Sequence, residues 1–239
     1  MTHKTPDVAG YRLAATVVLL RDAAHGPEVL MLERPHDRGS FAGNWVFPGG
    51  TVDPEDELPH DANAADPDSG DPEESAARRA AVREVREETA LELRPDNLVP
   101  TARWTPPSST PVRFRTWFYV AEAPAGELRL SAQEAVDAGW FTPAAALERH
   151  AAGILNLVPP TWVTLHRLIG HDSVLAVLTA ARRAPLQQHH TRRVSTARGD
   201  VLLWEPDVAY LDDTLIDTAG ARHRLELGTL PWVYTRSAG

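Results

Sequence analysis

Asp71-Pro72-Glu73-Glu74-Ser75-Ala76-Ala77-Arg78-Arg79-Ala80-Ala81-Val82-Arg83-Glu84-Val85-Arg86-Glu87-Glu88 is the stretch from which the rest of the chain is best understood. Aspartate at its head can cap a helix, proline suits the first helical position, and Glu74 stands where a capping box places its carboxylate. The pattern predicts one helix from residue 72 to about Glu88. At 100° per residue, Glu84, Glu87 and Glu88 share an arc of about 100°, flanking the stripe of Val82 and Val85 and turned away from Arg79 and Arg86. Ala77, Ala80 and Ala81 extend that face toward the N-terminus, where small side chains let another backbone segment come close.

Three carboxylates on a solvated helix face need no partner, since like charges there cost only a few tenths of a kcal/mol. Beside an apolar stripe the balance changes. At ~6 Å and an effective dielectric near 20, each pair repels by about 3 kcal/mol, so a half-buried cluster calls for a cation. Oxygen donors select hard ions, and magnesium takes one or two protein carboxylates and completes its shell with water and substrate phosphate.

Upstream of the helix, Trp45-Val46-Phe47 reads as a short buried strand stopped by Pro48-Gly49-Gly50, a turn with no Cβ at two positions to keep a metal or helix at a distance. Tyr11–Arg21 and Glu28–Glu33 read as a hairpin around His25-Gly26-Pro27. Residues 53 to 74 are acidic and nearly devoid of apolar side chains, and they predict a solvent loop. Downstream, Leu98–Trp104 and Val112–Glu122 read as strands, and Thr142-Pro143 opens a helix that ends near Gly153. Helical pieces follow at Pro160–Ile169 and Asp172–Arg183. A basic polar stretch in which His189-His190 face water comes next, then strands around Val201–Trp204 and Leu225–Tyr234.

The 239 residues, 43% of them apolar, suffice for a real core. With no cysteine, disulfides, thiolate zinc sites, iron-sulfur clusters and a cysteine nucleophile are excluded, so any metal must be held by oxygen or imidazole. A net charge of -9 gives no general footprint for nucleic acid. The longest apolar run, Leu13 to Leu20, falls far short of the roughly 20 residues of a membrane helix and ends directly at Arg21-Asp22. A cytoplasmic protein with neither a nucleic-acid nor a membrane partner is expected.

Gly49-Gly50, an acidic residue, and then Arg83-Glu84-Val85-Arg86-Glu87-Glu88 resemble the Nudix hydrolase box. The resemblance implies an α/β fold, a Nudix-type α/β/α sandwich with a mixed sheet, and metal-dependent hydrolysis of nucleoside diphosphate derivatives with Mg2+ or Mn2+. It implies that Glu84, Glu87 and Glu88 hold the metals, that the Gly50 region offers a carbonyl, and that Arg83 braces the carboxylates. Two departures stand out. Gly49-x5-Glu55 matches the front of the box, but 27 residues separate Glu55 from Arg83, whereas the register nearer the helix puts Ser75 where glutamate is usual. Ala90 replaces the glycine that follows the helix.

The segment Phe41–Gly50, together with Ala102–Pro106, Arg113–Phe118 and Val158-Pro159-Pro160, is similar to the Nudix branch of larger coenzyme A diphosphatases. That similarity makes coenzyme A or acyl-coenzyme A the first expected substrate, with ADP-ribose, NADH or a related dinucleotide second. A nucleotide sensor without turnover is the competing reading. Arg34, Arg113, Arg115 and Trp104 are the candidate substrate-binding residues, the arginines for phosphate and the tryptophan for base stacking. Glu84 or Glu134 is the expected general base. The expected organisation is a Nudix core over residues 1–155, interrupted by an acidic loop at about 55–72, with a C-terminal helical and strand extension over 156–239. That extension either covers the site or builds a homodimer.

Overall fold

The computed structural model describes residues 10–39, 41–57 and 71–237. Its elements run β1 (Arg12–Ala23), β2 (Gly26–Glu33), β3 (Trp45–Val46), β4 (Gly49–Thr51), α1 (Pro54–Glu57), α2 (Pro72–Thr89), β5 (Val99–Thr105) and β6 (Phe114–Glu122). They continue as β7 (Asp137–Phe141), α3 (Pro143–Ala151), α4 (Pro159–Leu168), α5 (Val174–Arg183), β8 (Gln187–His190), β9 (Arg192–Thr196), β10 (Gly199–Leu203), β11 (Arg222–Glu226) and β12 (Val233–Ser237). Of the acidic loop expected between 53 and 74, residues 54–57 form α1 and residues 58–70 lie outside the described residues.

The first sheet has the order β3-β2-β1-β6-β5-β8, with β4 joined to β1 and β7 to β2. It is mixed: β1 runs parallel to β6 and β5 parallel to β8, and the other pairs are antiparallel. Strand β1 is apolar from Leu13 to Leu20 except at Thr16 because both of its faces are covered there, which is what a two-sided layer demands. Ala15, Val17 and Leu19 face a core that includes Ala77, Ala80, Ala81 and Val85 of α2. Val18 and Leu20 point the other way, into a core with Ala146 of α3, Val163 and Leu165 of α4, and Val177 of α5. Each such branched side chain, fully removed from water, stabilises the fold by about 1.5–3 kcal/mol. The result is the expected α/β/α sandwich.

The β1–β2 turn lies one residue earlier than its glycine suggested, because Gly26 and Pro27 already pair with Ala23 and Asp22. The larger departure is C-terminal. Residues 187–196 form two strands where a polar stretch was expected. His189 is 1% exposed, and its ring stacks on Trp104 at 3.9 Å. Hydrogen bonding to β5 drives this, since β8 adds itself to the free edge of the first sheet with Trp104 opposite His189. The remaining strands form an antiparallel sheet in the order β12-β11-β10-β9. Among the described residues no helix is long and apolar enough to cross a membrane.

Candidate active site

Helix α2 begins as its sequence dictates, with the Asp71 carboxylate accepting from the Glu73 amide at 2.9 Å. Its last turns lie beside β4, which β1 holds by pairing Ala14, Ala15 and Thr16 with Thr51, Gly50 and Gly49. The turn into β4 is pinned by Thr16 Oγ1 and the Val17 amide, both donating to the Pro48 carbonyl, at 2.8 and 2.9 Å. As the side chains stand, neither glycine has room for a Cβ. A Cβ on Gly49 would stand 2.3 Å from the Ala15 carbonyl oxygen, and one on Gly50 would stand 2.4 Å from the Glu84 carboxyl carbon. The Gly49 amide donates to Glu88 Oε2 at 2.8 Å. Glycine turn and glutamate helix therefore meet, as their residue types predicted.

The three helix glutamates have different surroundings. The Glu88 side chain is 2% exposed and takes Arg34 Nη1 at 2.6 Å, whereas Glu87 is half exposed. Glu84 is largely buried and accepts from Arg83 Nη1 at 2.9 Å. Burial pushes the Glu84 carboxyl above its ordinary range against the pull of Arg83. Burial also raises Glu88 to about 7; Arg34 and the Gly49 amide oppose this, and Glu84 and Glu134 add to it. Glu134 reaches the same Arg34 nitrogen at 3.0 Å from the loop before β7.

One guanidinium thus serves Glu88 and Glu134, and another serves Glu84 and Glu87, so the cluster is short of positive charge. Its donors are all carboxylate oxygens beside a glycine turn, a set that fits a hard divalent cation. Among the described residues no three of them converge as a ready-made cage. Magnesium does not require one, because water and phosphate complete its shell.

Arg83 braces this end of the helix. Its guanidinium donates to the Thr51 carbonyl at 2.9 Å, to Asp56 Oδ2 at 2.8 Å, and to Glu84 and Glu87. These partners, Asp56 foremost, keep it firmly protonated despite burial. The bracing carboxylate is therefore Asp56, 4% exposed, instead of Glu55 or a residue near Ser75. Asp56 Oδ2 also accepts the Asp53 amide at 2.9 Å, and its carbonyl takes Arg79 Nε. Within an acidic run nothing in the residue types separates Asp56 from Glu55; the turn of α1 does.

The helix exit survives its missing glycine. Ala90 itself adopts the left-handed conformation, φ 59° and ψ 15°, and its amide caps the Arg86 carbonyl.

Glu84, Glu134, Arg34 and Gly50 line a cleft of about 290 Å³. Four of the chain's five phenylalanines, Phe41, Phe47, Phe114 and Phe118, line it too, a feature that sequence reasoning missed. The alternation of β6 could have revealed part of it, since Phe114, Thr116 and Phe118 share one strand face. The same alternation takes Arg113 and Arg115 away from the cleft. Arg115 bonds Glu73 at 3.1 Å and lies over the Tyr11 ring, and Arg113 covers Tyr11 from 4.5 Å. Trp104 is likewise not a cleft residue: it is buried at the β5–β8 edge, where it stacks on His189. Of the four candidate substrate-binding residues, the structure brings only Arg34 to the glutamates.

Comparison with known proteins agrees with this geometry. The model of the NUDIX domain matches residues 10–159. The crystal structure of a NUDIX hydrolase from Alicyclobacillus acidocaldarius is similar at 26% identity and TM-score 0.61, over 74% of this chain and 100% of that one. A MutT NUDIX hydrolase from Burkholderia pseudomallei is 22% identical with TM-score 0.46, over 66% of this chain and 97% of that one. No curated protein matches. With the family model spanning more than half of its length, the chain belongs to the NUDIX domain family and is a Nudix-type hydrolase.

Proposed function

We propose that the chain cleaves the diphosphate linkage of a nucleotide derivative, with Glu84, Glu87 and Glu88 holding Mg2+ or Mn2+ beside the Gly50 carbonyl. The observation that carries this reading is the contact of the Glu84–Glu88 turn with Gly49-Gly50 at the edge of a phenylalanine-lined cleft. When bound, the cations neutralise phosphate charge and acidify a bound water. Arg83, locked on Asp56, holds Glu84 at the cleft wall. Glu84 or Glu134 takes the proton of the attacking water, both carboxylates lining the cleft. Arg34, shared between Glu88 and Glu134, sets their separation. The aromatic walls suit a flat base or an apolar arm, because ring faces take stacked partners.

Coenzyme A or an acyl-coenzyme A is the first substrate we propose, and ADP-ribose or a dinucleotide the second. The support is spatial: two segments that carried the branch resemblance come together at the cleft, where Phe41 and Phe47 line it with Val158 and Pro160, and the Trp45 amide bonds the Asn156 carbonyl at 2.8 Å. A hydrolysis panel of coenzyme A, acyl-coenzyme A, ADP-ribose, NADH and nucleoside triphosphates, with product masses read after turnover in Mg2+ or Mn2+, tests this. Cleavage of the diphosphate bridge, abolished by chelator and by Glu84→Gln or Glu88→Gln in folded protein, supports the reading. Saturable binding without cleavage across the whole panel makes the chain a sensor.

A further inference from the structure

A second recess lies on the opposite side of β6 from α2, between the C-terminal halves of α4 and α5 and the β5–β8 edge. Its volume is about 130 Å³. Trp104, Val120, Val163, Leu168 and Val177 supply most of its apolar wall, and Ala180, Ala181 and Ala184 of α5 and its C-terminal end leave it wide. An apolar cavity of roughly this size, about 150 Å³, accommodates a benzene ring.

Its polar groups are unusual. His189 and Trp104 both line the recess and are both more than nine-tenths buried. Among the described residues neither ring nitrogen of His189 has a hydrogen-bond partner, and neither has Trp104 Nε1. A buried donor or acceptor left unpaired costs about 1–3 kcal/mol, so such groups are normally satisfied. Arg167 lines the same recess. It is exposed and feels the charge of Arg236, exposed as well; among the described residues neither has a carboxylate partner, and Arg236 bonds Gln187 Oε1 at 3.1 Å and the Tyr234 hydroxyl. His171 also lines the recess, and the other titratable groups in reach are His223 and Tyr234, hydrogen-bonded to each other at 3.1 Å, and His190 on β8. None is acidic at neutral pH, and burial with these cations around it drives His189 down to about 3, leaving a neutral ring with one donor and one acceptor.

We propose that this recess is a second binding site for a small aromatic carboxylate. The Arg167 guanidinium and the His189 and Trp104 N–H groups take the carboxylate, and Val163, Leu168 and Val177 take the ring. One arginine at the recess with no acid among the lining residues selects an anion, the apolar wall selects a ring over a phosphate, and the volume limits the ligand to about one ring. No residue of the site belongs to the diphosphate cleft, so the inference does not depend on the substrate proposed above.

Titration of full-length protein with benzoate, followed by calorimetry and by the 15N resonances of the histidine rings, tests the site. Saturable binding of one equivalent is expected, with dissociation below ~1 mM and movement of the His189 resonances. Arg167→Gln should weaken binding about tenfold or more, and benzyl alcohol, of similar size but uncharged, should bind at least ~10-fold more weakly than benzoate. Ala181→Leu fills the recess and should abolish binding; should that variant fail to fold, Ala184→Leu on the exposed rim replaces it. Absence of saturable benzoate binding, or binding that neither Arg167→Gln nor the filling variant weakens, overturns the proposal and leaves the recess to water.

Discussion

Asp56 Oδ2 lies 2.8 Å from Arg83 Nη2, so a carboxylate at the start of the acidic segment braces an arginine 27 residues further along the chain. The pair is mostly buried, and its guanidinium is the one that holds Glu84 and Glu87. Removing one partner of such a pair leaves the other charge uncompensated, a larger loss than the pair's net worth. Because the Arg83 side chain retains some exposure and other acceptors, Asp56→Ala should cost about 2 kcal/mol in urea unfolding and lower kcat as well. Glu55→Ala, next door on the exposed side of α1, should change stability by no more than about 0.5 kcal/mol. Equal effects of the two substitutions would mean that Asp56 is not the brace.

The paired glycines should fail in different ways. At Gly49 an added Cβ meets backbone, the Ala15 carbonyl oxygen at 2.3 Å and Thr16 Cα at 2.6 Å, so Gly49→Ala should destabilise the protein by about 2–3 kcal/mol. At Gly50 the obstacle is the Glu84 carboxylate, which can swing aside. Gly50→Ala should therefore leave the melting temperature within a few degrees of wild type and lower kcat about 100-fold, the cost of displacing a reacting group by about 1 Å. Thermal melts and turnover of the two variants, measured together, check the split.

What the sequence made legible follows from how local each signal is. Helix α2, its Asp71 cap, the Gly49-Gly50 turn and the two-faced strand β1 are specified by residues a few positions apart, and period and capping chemistry reveal them. Arg83 was named from the family resemblance and Arg34 from residue type, and both reach the carboxylates. Arg113, Arg115 and Trp104 were named the same way and point elsewhere, because which face of β5 or β6 meets the cleft depends on strand order and not on composition. His189 was read as exposed because its polar flanks carry no hint that β8 closes the edge of β5. Asp56 was hidden among equivalent carboxylates until α1 singled it out.

Ala90 holds a conformation that costs an L-residue about 1–2 kcal/mol and that glycine adopts freely. Ala90→Gly should therefore stabilise the protein, by about 0.5–1 kcal/mol after the larger entropy glycine brings to the unfolded chain is deducted. Midpoint and slope of urea unfolding decide it. A loss of stability would mean that the Ala90 methyl makes a packing contact worth more than the relief of its backbone.

His189 makes the fold acid-sensitive in a calculable direction. Burial and the surrounding cations lower its pKa to about 3 in the folded protein, against an ordinary value of 6.5 when unfolded. Below pH 6.5 the unfolded chain therefore binds a proton that the folded chain refuses. The stabilisation is complete above pH 6.5 and is lost as pH falls toward about 3, at about 1.4 kcal/mol per pH unit. His150, His166 and His223 are lowered by burial too and add slopes of the same sign. His189→Phe keeps a ring on Trp104 and removes the proton site, so its stability should fall less steeply than wild type between pH 6 and about 4, the difference approaching 1.4 kcal/mol per unit. Urea titrations of both proteins across that range check it, and parallel curves would place a protonated His189 within the folded structure.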